Sequence, residues 1–392
     1  MTALPASITF ARASIGTYFD KDGVLQTALS GEARFDHDPS TLEPLGLLIE
    51  GARTNLQRYS QDFSQWTATL CTIAPAAALD GTTSATEIIP DNTVNTHRLA
   101  SQASTVNTTS TYTVSFYAKK GAANFVSLSG AGAYNYCAWN LDTGTLAGNG
   151  TPWTNPGIQA CGNGWYRCYA NCIFIGTAVN IQIYGALTVN AAGQPGAAAG
   201  DGVAPWITIW GAQIELGSFP TSYIPTTTVT VPRQGDDARM TGVNFSSWYS
   251  AAAGTFVLDF IPSQVGATAP LYYVGDDVTN YLRSYQSGTS TNTQASQSSV
   301  IVASMATASP AIVAHTPYSL ACTHETNRFQ VALNGVLPTA VLAGAAQLAI
   351  NMRMGFAGGV GGNAGYGCLT IASLKFFNIA KTNAELIKLT TP

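Results

Sequence analysis

Trp206-Ile207-Thr208-Ile209-Trp210-Gly211-Ala212-Gln213-Ile214-Glu215-Leu216 is the stretch that decides the fold class. β-branched and aromatic residues dominate it, and they suit the pleated surface of a sheet. Read with a period of two, Trp206, Trp210, Ile214 and Leu216 share an apolar face, while Gln213 and Glu215 face the opposite side. Similar runs recur at 112–117, 124–128, 179–184, 255–261, 328–333 and 367–377. Between runs stand Asp22-Gly23, Asp80-Gly81, Asp142 to Gly144, Asn163-Gly164 and Asn334-Gly335, which supply the positive φ that tight hairpins need. Many short strands with recurring turns predict sandwiches. No heptad seam is present. One helix is predicted at the C-terminus, over 386–389, opened by the capping box Thr382-Asn383-Ala384-Glu385.

At 392 residues the chain is long enough for two or three domains of about 100–200 residues each. We expect an all-β protein: a hairpin-built N-terminal segment at 1–58, a β-sandwich at 59–232, and a second, jelly-roll-type sandwich at 233–392. The second sandwich follows the charged joint Arg233-Gln234-Gly235-Asp236-Asp237, and the Gly/Ala-rich stretch 190–202 reads as an insertion between strands of the first.

Only 10% of the residues are charged, against roughly 25% in an average globular protein. Solvation therefore rests on Thr, Ser, Asn and Gln. With a net charge of −4 and no Lys/Arg run, the chain lacks the basic footprint that nucleic acid requires. Residues 1–16 show neither a basic n-region nor an apolar h-region, so no secretory signal is expected; no apolar stretch is long enough to span a membrane. The seven cysteines are irregularly spaced, which predicts free, buried thiols. Cys168 and Cys172 fall on one face of a single strand, where they do not easily reach each other.

Three stretches carry a resemblance. FARASIGTYFD at 10–20, with ARFDHDP at 33–39 and LGLLIEGARTNL at 45–56, resembles the N-terminal module of tailed-phage head-spike and tail-fibre proteins. NGWYR at 163–167, with WGAQIELG at 210–217 and PTSYIPT at 220–226, resembles the carbohydrate-binding-module-like sandwich that follows it in such proteins. GCLTIASLKFF at 367–377 resembles a concanavalin A-like (laminin G-like) jelly roll. The resemblance implies a virion structural protein, a head or tail fibre or spike subunit. It would be a homo-oligomer, taken here as a trimer, held to a capsid or tail protein through its N-terminal segment and contacting bacterial surface glycan. Such a protein is assembled in the host cytoplasm and released by lysis.

No catalytic constellation is read. Glu325, Glu385 and Asp259 are isolated, and the histidines 37, 97, 315 and 324 are scattered without a nucleophile elbow. His37, Asp36 and Asp38 read as turn residues, and Asp276-Asp277 beside Asn280 as a solvated loop. Gly358 to Gly362 is a turn without the Lys-Ser/Thr ending of a phosphate loop. No cofactor and no metal are expected. The candidate sugar contacts are Tyr134, Tyr136, Trp153, Tyr184 and Gln213, since sugars stack on aromatic rings while amides take their hydroxyls. In 134–141, Tyr134 and Tyr136 share a face opposite Cys137, Trp139 and Leu141, which read as core. The same aromatics also suit framework or subunit-interface roles. Arg167 is expected to pair with a framework carboxylate. The rival functions are a host-recognition adhesin and a polysaccharide depolymerase.

Overall fold

A computed structural model describes residues 3–130, 135–265, 269–275, 280–307, 309–326, 328–338, 351–354 and 368–391. The chain is almost all β, with two sandwiches in tandem. In the first, one six-stranded sheet runs in the order Thr145–Asn149, Tyr136–Asn140, Phe125–Ser129, Gln182–Ala186, His97–Ala100, Thr67–Thr69. The other runs Thr154–Ala160, Trp165–Ile173, Thr111–Lys120, Ile207–Leu216, Ala85–Pro90, Cys71–Ala76. Val114, Phe116, Trp139, Ile183 and Ile209 fill the space between them. Each such side chain contributes about 1.5–3 kcal/mol by leaving water.

Turn chemistry fixes the hairpins. Asn163 and Gly164 (φ 49° and 79°) join Thr154–Ala160 to Trp165–Ile173, and Asn334 and Gly335 (φ 45° and 77°) follow Arg328–Leu333. Both pairs put two successive residues at positive φ, as a two-residue hairpin of type I′ demands. The cysteines are free, and six of the seven are buried. Burial pushes the Cys137 and Cys172 thiols up to about 12, so they act as small apolar fillers.

A bulge corrects the period-two reading of 206–216. Ser115 pairs with Gln213 but Tyr117 pairs with Trp210, so Gly211 and Ala212 together face Phe116. Gly211 takes φ 61°, and a Cβ there would meet the Tyr117 ring at 2.9 Å. The inward face thus switches: Ile207 and Ile209 enter the core before the bulge, Ala212 and Ile214 after it. Trp210 turns away and packs with Tyr117 and Tyr223 in a separate cluster, and Leu216 is exposed.

The second sandwich opposes a seven-stranded sheet, in the order Thr9–Ala11, Asp237–Thr241, Asn351–Met354, Ala269–Gly275, Tyr281–Ser287, Ser290–Gln297, Val300–Thr307, to a six-stranded one. The latter runs Arg328–Leu333, Tyr318–Glu325, Ala253–Pro262, Leu369–Phe377, Pro44–Ile49, Phe35–His37. The segment 1–58 is therefore woven in. Thr9–Ala11 closes an edge of one sheet, Pro44–Ile49 and Phe35–His37 close an edge of the other, and Arg53–Asn55 pairs with Val231–Arg233. Short strands at these edges limit the exposed backbone that invites further pairing. The C-terminal helix spans Asn383–Thr390 and has its capping box, with Thr382 accepting from the Glu385 amide and Glu385 from the Thr382 amide.

Between the sandwiches lies a buried charge cluster. Asp236 accepts from Arg12 at 3.0 Å, from Arg34, and from the Glu50 amide at 2.8 Å. Glu50 takes Arg34 at 2.7 Å, Arg233 at 3.6 Å and the Ser222 amide and hydroxyl at 2.7 and 2.6 Å. Burial alone would raise the Glu50 carboxyl, but Arg233, Arg34 and Ser222 hold it well below the usual carboxylate range. The first sandwich's exit strand, the N-terminal segment and the start of the second sandwich all contribute to this cluster.

Candidate functional site

The structure scatters the residues expected to contact sugar. Tyr134 lies outside the described residues, as do Asp276, Asp277 and Gly358 to Gly362. Trp153 is interior: only 2% exposed, it packs in the first core and its indole donates to the Asn135 carbonyl at 3.2 Å. Gln213 is fully buried. Its amide donates to Glu215 at 2.7 Å and accepts from the Ile224 amide at 2.8 Å, while Glu215 accepts from Thr221. These two residues staple the stretch 220–226 onto the sheet, which accounts for the motif at 210–226 without a ligand.

Tyr136 and Tyr184 do meet. They stand on the outer face of the first sandwich, opposite Cys137 and Ile183, which face the core. Their rings pack edge to face at 5.7 Å; the Tyr184 hydroxyl donates to Gln182 at 2.5 Å, and the Arg98 guanidinium lies 5.8 Å from its ring. However, the Gly/Ala stretch lies across this face. Ser127, in register with Tyr184, donates to the Gly193 carbonyl at 2.6 Å, and a Cβ on Gly193 would sit 2.9 Å from the Ala138 amide nitrogen. Tyr184 is left 3% exposed, while Tyr136, Gln182 and Arg98 keep partial access to solvent.

Arg167 has no carboxylate partner among the described residues. It donates to the Ser115 hydroxyl at 3.0 Å and lies over the Tyr117 ring at 5.4 Å. Asp38 sits in turn geometry and accepts from the Ser40 and Thr41 amides, but Asp36 and His37, read as turn residues, belong to the edge strand Phe35–His37, where His37 meets the Phe19 carbonyl at 3.3 Å. Asp36 accepts from the Phe19 amide at 2.8 Å; burial, opposed by that bond and by Arg34, pushes its carboxyl up to about 7.

A second aromatic row lies on the outer face of the seven-stranded sheet, and the strand runs read from sequence omit it. In Tyr281–Ser287, Leu282 enters the core, so Tyr281, Arg283 and Tyr285 face out. The Arg283 guanidinium lies 4.9 Å from the centroid of each tyrosine ring. Its Nε and Nη2 donate to Gln294 Oε1 at 3.2 and 2.7 Å across the register pair. Tyr285 is in register with half-buried Asn292, and Gln294 with exposed Ser304. Tyr281 is only 6% exposed, so one half-open ring (Tyr285), amides for hydroxyls and one fixed cation share this surface. The alternation Tyr-Leu-Arg-Ser-Tyr at 281–285 was the available signal.

An apolar pocket of about 650 Å³ opens into the second core, lined by Met240, Trp248, Phe256 and Phe376 with Ser247, Lys375 and Asn378 as its polar groups. That lining suits an apolar group better than a polyhydroxylated one.

No family model matches the chain, and no curated protein matches it. Among solved structures it is similar to the CBM40 module of Ruminococcus gnavus IT-sialidase bound to α2,3 sialyllactose, at 16% identity and TM-score 0.31 over 36% of this chain and 84% of that one. It is also similar to the receptor-binding domain of botulinum neurotoxin C/D mosaic serotype, at 12% identity and TM-score 0.32 over 40% of each chain. A third is the heptameric SAP-like pentraxin from Limulus polyphemus, at 13% identity and TM-score 0.29 over 34% of this chain and 68% of that one. Each spans two fifths of the chain or less, so none describes the two-sandwich arrangement as a whole.

Proposed function

We propose that the chain is a non-catalytic fibre or spike subunit of a tailed-phage particle that touches host-surface glycan through its second sandwich. The observation that carries the glycan reading is the half-open pair Arg283 and Tyr285, backed by buried Tyr281 and with Gln294 beside it. Sugars bind where rings present flat apolar faces and amides or charged groups take the hydroxyls. The virion assignment rests on the resemblance at 10–56. In this reading the subunit forms a closed homo-oligomer, with a three-fold axis along the fibre. Because the strands of 1–58 are committed to sheet pairing, the attachment to a capsid or tail protein uses that segment's outer surface.

Binding of the intact chain to fractionated host-surface polysaccharide, followed by biolayer interferometry, tests the adhesion reading. Tyr285→Ala is expected to weaken binding about tenfold, the equivalent of one lost ring contact. Polymer chain length is expected to stay unchanged on prolonged incubation, and shortening would install the depolymerase instead. Cryo-electron microscopy of particles places the subunit: residues 1–58 at the distal tip, or no density on the virion, would overturn the structural assignment.

A further inference from the structure

We infer that the row on the seven-stranded sheet is a subsite for a carboxylate-bearing sugar, a uronic-acid type of residue within a surface polysaccharide. This rests on the glycan reading above and gives it a ligand class. The argument begins with charge. Arg283 forms no ion pair among the described residues, whereas Arg12, Arg34 and Arg233 are each matched to buried carboxylates. A half-buried guanidinium with no carboxylate among the described residues is an unfilled acceptor demand on a chain whose net charge is −4.

Geometry adds the second part. The bonds to Gln294 use Nε and Nη2, and the two flanking rings fix the guanidinium plane, so little rotamer entropy remains to be lost on binding. Nη1 makes no hydrogen bond among the described residues, and its edge can meet a carboxylate oxygen through a charge-assisted bond. Tyr285, partly open to solvent, offers its ring to a pyranose face, and Asn292 beside it offers an amide to a ring hydroxyl. A neutral sugar would use the ring and the amide but would leave the cation unmatched. The pairing of Arg283 with a carboxylate therefore sets selectivity, and the tyrosine sets affinity for sugars in general.

Titration calorimetry of the full chain with a set of galacturonate and glucuronate oligosaccharides, and with the same oligosaccharides after carboxyl reduction, tests this. The acidic forms are expected to bind about 10–100-fold more tightly than the reduced forms, the value of one hydrogen bond to a charged group. That advantage is expected to shrink in high salt. Arg283→Gln is expected to abolish the difference between the two forms, and Arg283→Lys to restore part of it. Tyr285→Ala is expected to weaken both forms together. Equal binding of acidic and reduced forms, or an acid preference that survives Arg283→Gln, overturns the carboxylate inference and leaves the glycan reading standing. Absence of binding to either form, with host polysaccharide also silent, overturns both. Unchanged thermal unfolding of the variants keeps misfolding out of the comparison.

Discussion

Arginine is used in two opposite ways in this molecule. At the joint between the sandwiches, Arg12, Arg34 and Arg233 are fully buried, and Asp236 and Glu50 match their charge. On the outer face of the second sandwich, Arg283 is held by two rings and one amide and meets no carboxylate among the described residues. The first arrangement spends its charge on holding segments far apart in sequence at one point. The second keeps its charge unspent. Pairing with a carboxylate, more than residue type, separates a structural cation from one poised for a ligand.

The comparison breaks most visibly at Asp236. Asp236→Ala removes the acceptor of Arg12 and Arg34 and of the Glu50 amide, leaving buried charge uncompensated. The expected loss is about 3–5 kcal/mol, read as a lower unfolding midpoint in calorimetry. Stability within about 0.5 kcal/mol of wild type would mean that the cluster is not what ties the segments together.

Asp36 sharpens the picture at the margin of that cluster. Its carboxyl titrates at about 7 in the folded chain against 3.8 unfolded, so the folded state binds the proton more tightly and stability falls as pH rises from about 4 to about 7. Glu50 has the opposite sign: its contribution is present at neutral pH and fades as pH falls below its unfolded value of 4.5. Asp36→Asn keeps the acceptor for the Phe19 amide and removes the proton. After discounting for partial exposure, it is expected to stabilise by about 1–2 kcal/mol at pH 8 and to leave stability at pH 4 unchanged. Calorimetric midpoints across that range check it, and an unaltered slope would refute it.

Arg328 is the intermediate case. It is partly exposed and donates to the Lys381 carbonyl at 2.6 Å and to Asn383 at 2.7 Å, where the C-terminal helix begins. Arg328→Ala is expected to cost about 1 kcal/mol, measurable as a shifted denaturant midpoint with an unchanged slope.

What could be read from sequence divides along the same line of range. Strands and hairpins were legible because their causes are local: β-branched runs, Asn163-Gly164 and Asn334-Gly335 each act within a few residues. The bulge was half-legible, since a glycine inside a strand pattern signals one, but which face each side chain takes depends on the Tyr117 pairing across the sheet. The weaving of Thr9–Ala11 beside Asp237–Thr241 left no local trace, because the partners lie more than two hundred residues apart. For the site, the outward parity of Tyr136 followed from period two. That 190–202 would lie over Tyr184 did not, because a Gly/Ala loop has no face of its own to predict. The row at 281–285 went unread since Arg283 and Ser284 between the tyrosines, with Gln286 after them, resemble a loop more than a strand.

The smallest expected effect on stability is the most informative. Arg283→Gln removes a cation that meets no carboxylate among the described residues and lies on an outer face, so stability is expected to move by less than about 0.5 kcal/mol. The wild-type midpoint, retained together with a loss of acid preference in the calorimetry above, separates poised charge from structural charge. If Arg283→Gln instead destabilises as Asp236→Ala does, the guanidinium is a strut between Tyr281, Tyr285 and Gln294. The contrast between the two arginine sites then collapses into a single structural role.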